Sequence, residues 1–349
     1  MKKEEGSAAL LLDCPRSYGA FCAGVVETLV VEGKLDFQVF YGISDSALSA
    51  GFLAQAQKEE DPTRSVSSLA IYSDRLGRLW REKIKGRKSV FWLRTGGFVG
   101  PLAGKNSVFD LTPLRRLLSP EIDTELLCTS GRSLLGGVTS LRTGRHHIFW
   151  NNPDYRRWLP SYLFASASLP FLVEPVEAPP PGDPEAPKEP LADGALSSFQ
   201  PLQDLLEEKP SRVVVVTCNH GEVPERDFAD NFLGTAVGAY NFLERAEEIL
   251  RGRILSGNIL GVRELVRLKE NFLRLKSRLS AESRALMEFK ELEERLGKIH
   301  ICPIQVIGPE EPLEGPLNSF RPAHILKNLE AGHRAARAFL EGAGERPPG

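Results

Sequence analysis

One serine constrains this chain more than any other feature. It sits on a sharp turn, Tyr41-Gly42-Ile43-Ser44-Asp45-Ser46-Ala47, between an apolar stretch at 35–41 and an Ala/Leu-rich helical stretch at 47–57. Upstream, Ala8-Ala9-Leu10-Leu11-Leu12 reads as a buried strand. Residues 20–32 then carry Phe21, Val25 and Leu29 at helical spacing, with Gly33 as the stop. The order strand, helix, strand, turn, helix predicts a right-handed crossover unit of a parallel sheet. A serine between a strand end and a helix start is where an exposed nucleophile belongs.

The rest of the chain continues the alternation. Residues 136–141 and 145–150 read as strands joined by Arg142-Thr143-Gly144, and Arg-Val-Val-Val-Val-Thr at 212–217 as a strand buried on both faces. A last strand is expected over 298–307 and a last helix over 323–340. Residues 64–127 read as mostly helical with a Gly-rich break at 95–100, and 158–168 as a helix stopped by Pro170. Prolines at 179, 180, 181, 184, 187 and 190 predict a solvated surface loop over 177–190. Residues 231–297 read as a helical insertion and 343–349 as a disordered tail. The pattern predicts one α/β domain over 7–342, with a largely parallel sheet and helices on both faces.

Hydrophobic content of 42% over 349 residues is enough for a large core, and a net charge of -2 gives no field that favours nucleic acid. The five cysteines, Cys14, Cys22, Cys128, Cys218 and Cys302, are scattered and form no C-x-x-C pair. Neither a disulfide framework nor a metal site is indicated, which fits a reducing compartment. The apolar run at 8–12 is too short to span a bilayer and follows acidic residues, so a cytoplasmic location is expected.

A serine hydroxyl needs a base within hydrogen-bond reach. His220, His300, His324 and His333 all follow Asp193 and are candidates in the order Ser, Asp, His. A lysine base has no local signature. The third choice is Asp193 itself, in the tight turn Ala192-Asp193-Gly194-Ala195, where the small Gly194 lets a carboxylate approach another loop. The position of Ser44 after only the second strand favours this last choice. The plainer alternatives are a helix N-cap for Ser44 and a turn residue for Asp193. His146 and His147 read as a solvated strand edge, and Cys14 as a buried inert thiol.

Residues 262–279 carry Arg263, Arg267, Lys269, Arg274, Lys276 and Arg278, with Val262, Leu265, Leu268, Phe272, Leu275 and Leu279 at spacings of three and four. Such a basic amphipathic helix packs on its own domain or makes peripheral contact with an anionic membrane surface; the first is favoured.

Several segments, in order, resemble the patatin-like phospholipases. Gly19-Ala20-Phe21-Cys22-Ala23-Gly24-Val25 resembles the family's first helix, and Asp36-Phe37 the lead into the serine strand. Gly42-Ile43-Ser44 resembles the nucleophile motif, and Phe109-Asp110-Leu111-Thr112-Pro113-Leu114 a mid-domain segment. Ala165-Ser166-Ala167-Ser168-Leu169-Pro170 resembles the small-residue stretch before the aspartate, Asp193-Gly194 the dyad motif, and Leu329-Glu330-Ala331-Gly332-His333 the closing helix. The resemblance spans about residues 8–340. It implies a three-layer α/β fold and a Ser44–Asp193 dyad hydrolysing a lipid or other ester through an acyl-enzyme, with no metal and no cofactor.

The family pattern is altered at three places. Ser46 stands where the motif Gly-x-Ser-x-Gly has its last glycine. The loop Asp13-Cys14-Pro15-Arg16-Ser17-Tyr18-Gly19 replaces a Gly-rich loop that, in the family, donates backbone N–H groups to the oxyanion. Pro15 has no N–H to give, and Tyr18 replaces a basic residue, with Arg16 nearby. Losing one such donor costs ~2.7–4 kcal/mol of transition-state stabilisation. Asp45 adds a carboxylate beside the nucleophile, where it repels a developing oxyanion unless it points away. These changes motivate an alternative, an impaired pseudoenzyme binding lipid or a protein partner. An acyltransferase using the same acyl-serine is a third reading.

Overall fold

The computed structural model describes residues 7–94, 107–197, 201–218 and 302–342, with Gly257, Ile259, Gly261, Arg274 and His300 besides. The Gly-rich break at 95–100, His220 and the tail 343–349 lie outside the described residues. So do the helical insertion 231–297 and its basic helix 262–279, apart from Gly257, Ile259, Gly261 and Arg274.

The elements run β1 (Ala8–Asp13), α1 (Gly19–Val31), β2 (Val39–Gly42), α2 (Ser46–Leu53), α3 (Pro62–Arg78), β3 (Trp92–Leu93), β4 (Ser107–Asp110), α4 (Thr112–Leu118), α5 (Thr124–Thr129), β5 (Ser133–Ser140) and β6 (His146–Trp150). Then come α6 (Leu159–Ser166), β7 (Phe171–Val173), β8 (Val176–Ala178), β9 (Glu189–Asp193), α7 (Pro201–Glu207), β10 (Arg212–Thr217), β11 (Ile304–Ile307) and α8 (Pro322–Leu340).

The main sheet has the order β11-β10-β1-β2-β5-β9-β8, with β6 also on β5. The pairs from β11 to β5 are parallel, whereas β6, β9 and β8 join antiparallel. Side chains of a strand alternate between faces, so a strand buried on both sides is apolar throughout. Leu10, Leu12, Phe40, Val214 and Val216 therefore enter one core with α1, α2 and α8. Ala9, Leu11, Val39, Val213 and Val215 enter another with Leu202 and Leu205 of α7. The result is a three-layer α/β fold with a largely parallel sheet.

Two sequence expectations are corrected in part. The described residues of 64–127 are mostly helical, as expected, but Trp92–Leu93 and Ser107–Asp110 are strands, which form a small second sheet with β7. Strands this short have no period to read; β3 is defined by pairing with β4, and β4 by pairing with distant β7 as well. The segment 177–190 is a solvated loop only in its middle, about 182–188; its two ends are β8 and β9 of a hairpin, with Glu177 opposite Pro190 and Ala178 opposite Glu189. Ala178, Pro179, Pro181 and Glu189 are buried. Prolines suit this place because β8 is the sheet's edge and Pro190 serves through its carbonyl, which accepts from the Leu141 N–H at 2.9 Å.

The second core holds a polar pair. The Tyr41 hydroxyl donates to Asp204 Oδ2 at 3.1 Å. Burial is the main force lifting the Asp204 carboxyl from its usual 3.8 to about 6; the Tyr41 hydrogen bond opposes this and Glu207 adds to it. The folded state thus holds this proton more tightly than the unfolded chain does. Its stabilising contribution is complete below about pH 4 and is lost as pH rises through about 6. Because the group is half-buried and screened, about 1–2 kcal/mol is expected. Urea unfolding at pH 5 and pH 7.5 checks this. The wild type should lose about that much more stability between the two than Asp204→Asn, and equal slopes would contradict it.

Candidate active site

Strand pairing brings the serine and the aspartate together. β2 stops at Gly42, which lies opposite Gly136 of β5. Leu135 and Gly136 pair with β2 and also with β6, so these two strands flank β5 on opposite edges. Val138 and Thr139 pair with β6 and also with β9, so β9 occupies the edge that β2 has just vacated. β9 runs antiparallel to β5 and ends at Asp193, opposite Val138. The C-terminal ends of β2 and β9 therefore meet head-on, with Ser44 leaving one and Asp193 closing the other.

At that meeting point the Ser44 Oγ–H donates to Asp193 Oδ2 in a short hydrogen bond. Ser44 is 8% and Asp193 1% exposed, so little water competes for the bond. Ser44 has φ 56°, a left-handed conformation that is costly for a residue with a side chain. The surroundings enforce it. α2 folds back so closely on β2 that a Cβ on Gly42 would lie 2.3 Å from Ala47 Cα. A Cβ on Gly194 would lie 2.4 Å from the backbone carbon of Gly137, so this turn also needs its glycine.

Further hydrogen bonds fix both partners. Asp193 Oδ1 accepts from the Ala195 N–H at 3.0 Å, leaving Oδ2 aimed at Ser44. The Asp193 N–H donates to Ser168 O at 3.0 Å, and the Ser166 hydroxyl donates to Ser44 O at 3.0 Å. The small-residue stretch at the end of α6 thus touches both members of the pair. Thr139 Oγ1 donates to Asp193 O at 2.8 Å. Thr139 has no local sequence signal, because only strand pairing brings it here.

The described candidates His300, His324 and His333 lie elsewhere. His300 Nε2 pairs with Pro210 O at 2.6 Å, His324 Nδ1 with Ser319 Oγ at 2.6 Å, and His333 Nδ1 with Thr28 Oγ1 at 2.9 Å. His146 stands on β6, which among the described strands pairs only with β5, but it is half-buried against the turn at Gly194 rather than solvated. It packs over Gly137, where an added Cβ would lie 2.5 Å from its Cε1, and burial lowers its pKa. Among the described residues no group of three or more His, Cys, Asp or Glu gathers in a way that would hold a metal ion. No helix of the described residues is long and apolar enough to cross a membrane.

The altered loop stands beside Ser44 and is pinned throughout. Cys14 and Cys22 are not free thiols: they form a disulfide with Cα atoms 6.2 Å apart, because the turn Arg16–Tyr18 folds Cys14 back over the first turns of α1. Ser46 fills the motif's last-glycine position with a tie. Its Oγ accepts from the Cys14 N–H at 3.0 Å and donates to Cys14 O at 3.2 Å. The Ser17 hydroxyl donates to Leu317 O at 2.6 Å and the Tyr18 hydroxyl to Gly315 O at 2.8 Å. Nothing in the sequence marks residues 315–317 as the loop's support, since the contact spans about 300 positions.

Loop and turn both line a cavity of about 110 Å³. Arg16, Ser44 and Asp45 are among its polar lining; most of the rest is apolar, with Phe52, Leu79, Trp80, Phe91, Phe109 and Phe320 among it. A mainly apolar cleft lined by a hydroxyl paired with a carboxylate is equipped to hold a hydrocarbon and attack a carbonyl joined to it.

No protein-family model matches this chain, and no curated protein does. Among solved structures, VipD from Legionella pneumophila aligns over 97% of this chain and 67% of its own, at 12% identity and a TM-score of 0.42.

Proposed function

We propose that the protein is a serine acyl hydrolase of the patatin-like kind, acting on lipid or other esters with Ser44 and Asp193, within one domain over 7–342. The observation that carries this reading is the hydrogen bond from Ser44 Oγ to Asp193 Oδ2, with Ser44 lining a mainly apolar cavity. Ser44 Oγ attacks the ester carbonyl while its proton passes to Asp193 Oδ2. The tetrahedral intermediate collapses, the C–O bond to the alcohol breaks, and Asp193 returns the proton to the leaving alkoxide. Asp193 then takes a proton from water, whose oxygen attacks the acyl-serine. The carboxylic acid leaves and Ser44 regains its proton.

The second reading, a binding protein built on the same site, is supported by the ties that pin the altered loop, from Cys14 to Ser46 and from Ser17 and Tyr18 to Leu317 and Gly315. An ester series separates the two. The hydrolase reading expects kcat/KM for p-nitrophenyl octanoate to exceed that for the acetate by about tenfold or more, since each buried methylene contributes ~0.8 kcal/mol. Equal rates contradict the role of the cavity. Binding of the octanoate without turnover favours the second reading.

A further inference from the structure

The backbone N–H groups of the altered loop are all committed within the protein. Cys14 N–H donates to Ser46 Oγ, and Pro15 has none. Arg16 N–H donates to Asp45 Oδ2 at 2.5 Å. Ser17 N–H donates to Leu317 O at 3.0 Å and Tyr18 N–H to Pro15 O at 3.1 Å. Gly19 N–H bonds the carbonyls of Arg16 and Ser17. Most of these partners are neutral carbonyls and hydroxyls. The Arg16 N–H alone among them is bonded to a carboxylate.

That carboxylate belongs to the residue after Ser44, and Arg16, Ser44 and Asp45 line one cavity. Asp45 stands at the N-terminus of α2, where an aspartate ordinarily caps the helix. It makes no such cap bond; its carboxylate is spent on the loop instead. Arg16 has φ 51°, a left-handed conformation that presents its N–H to this anion. A tetrahedral oxyanion asks for the same thing as a carboxylate: an N–H donor beside the nucleophile. The structure therefore holds a negative oxygen of its own on a donor that the reaction needs.

Resting on the Ser44–Asp193 reading, we infer that Asp45 is a built-in occupant of the oxyanion loop. Turnover requires its carboxylate to leave the Arg16 N–H. The effect falls on the transition state, because the neutral ester carbonyl gains little from that donor and the oxyanion gains much. Asp45 touches the reaction only through the loop and is a positioning residue, acting here as a brake.

The test is kcat and KM for p-nitrophenyl octanoate in the full chain, for wild type, Asp45→Ala, Asp45→Asn and the double variant Asp45→Ala/Ser44→Ala. Asp45→Ser, too short to reach Arg16 but a good helix cap, replaces Asp45→Ala should the latter fail to fold. The expected result is a rise in kcat of about tenfold or more in Asp45→Ala, with KM within about twofold. The neutral amide of Asp45→Asn gives a smaller rise, and adding Ser44→Ala removes activity. Folded Asp45→Ala with kcat at or below wild type, still dependent on Ser44, overturns the inference alone. Hydrolysis that survives Ser44→Ala overturns the dyad reading and the inference with it.

Discussion

Ser44→Ala and Asp193→Asn each lower ester hydrolysis by about 10³-fold or more, and the double variant is no worse than either single one. The first removes the atom that attacks. The second keeps size and shape, and its amide can still accept from the Ala195 N–H that positions Asp193. It cannot take the serine proton, so the loss is chemical and not structural. Because the two groups act as one unit through the Ser44–Asp193 hydrogen bond, their losses do not add. Steady-state rates on p-nitrophenyl octanoate, with circular dichroism to show folded proteins, check all three variants. A double variant much slower than both singles, or a single variant near wild-type rate, contradicts the unit.

Arg132→Ala costs about 3–5 kcal/mol of stability, because it breaks a buried charge pair. The Arg132 side chain is fully buried, and Nη1 bonds Asp36 Oδ1 at 2.7 Å. Nη1 also donates to Phe37 O, Nε donates to Ala56 O, and Nη2 to the carbonyls of Gln57 and Ser65 and to Ser65 Oγ. Removing it strands these acceptors out of water, each at a cost of about 1–3 kcal/mol before relaxation. Phe37 leads into β2 and Ala56 follows α2, so Arg132 clamps the far end of the unit that carries Ser44. Arg132→Lys keeps a charge but not the planar fork, and recovers only part of the loss. Urea unfolding measures the difference; a cost below about 1 kcal/mol for Arg132→Ala contradicts the clamp.

The crossover unit was legible because its signals are local: an apolar run, a helical period, a glycine stop and a serine turn within 8–57. Asp193 was legible as a turn carboxylate, but not the reason it meets Ser44. That reason is the handover of one edge of β5 from β2 to β9, a pairing among three segments far apart in sequence. The Cys14–Cys22 bridge was missed because spacing alone says nothing of a turn that folds one over the other. The hairpin at 177–190 was hidden by its prolines, which read as loop until the carbonyl of Pro190 is seen serving the sheet. Ser46 and Asp45 were legible as departures from a pattern. Their partners, Cys14 and Arg16, lie about thirty positions away, and only the folded loop shows the bonds.

The central claim is an activated serine at position 44. Labelling the folded protein with a fluorophosphonate, and mapping the adduct by mass spectrometry, tests it most directly. One adduct is expected, on Ser44, absent from Ser44→Ala and strongly reduced in Asp193→Asn. No adduct on folded wild type, or one that survives Ser44→Ala, would contradict it.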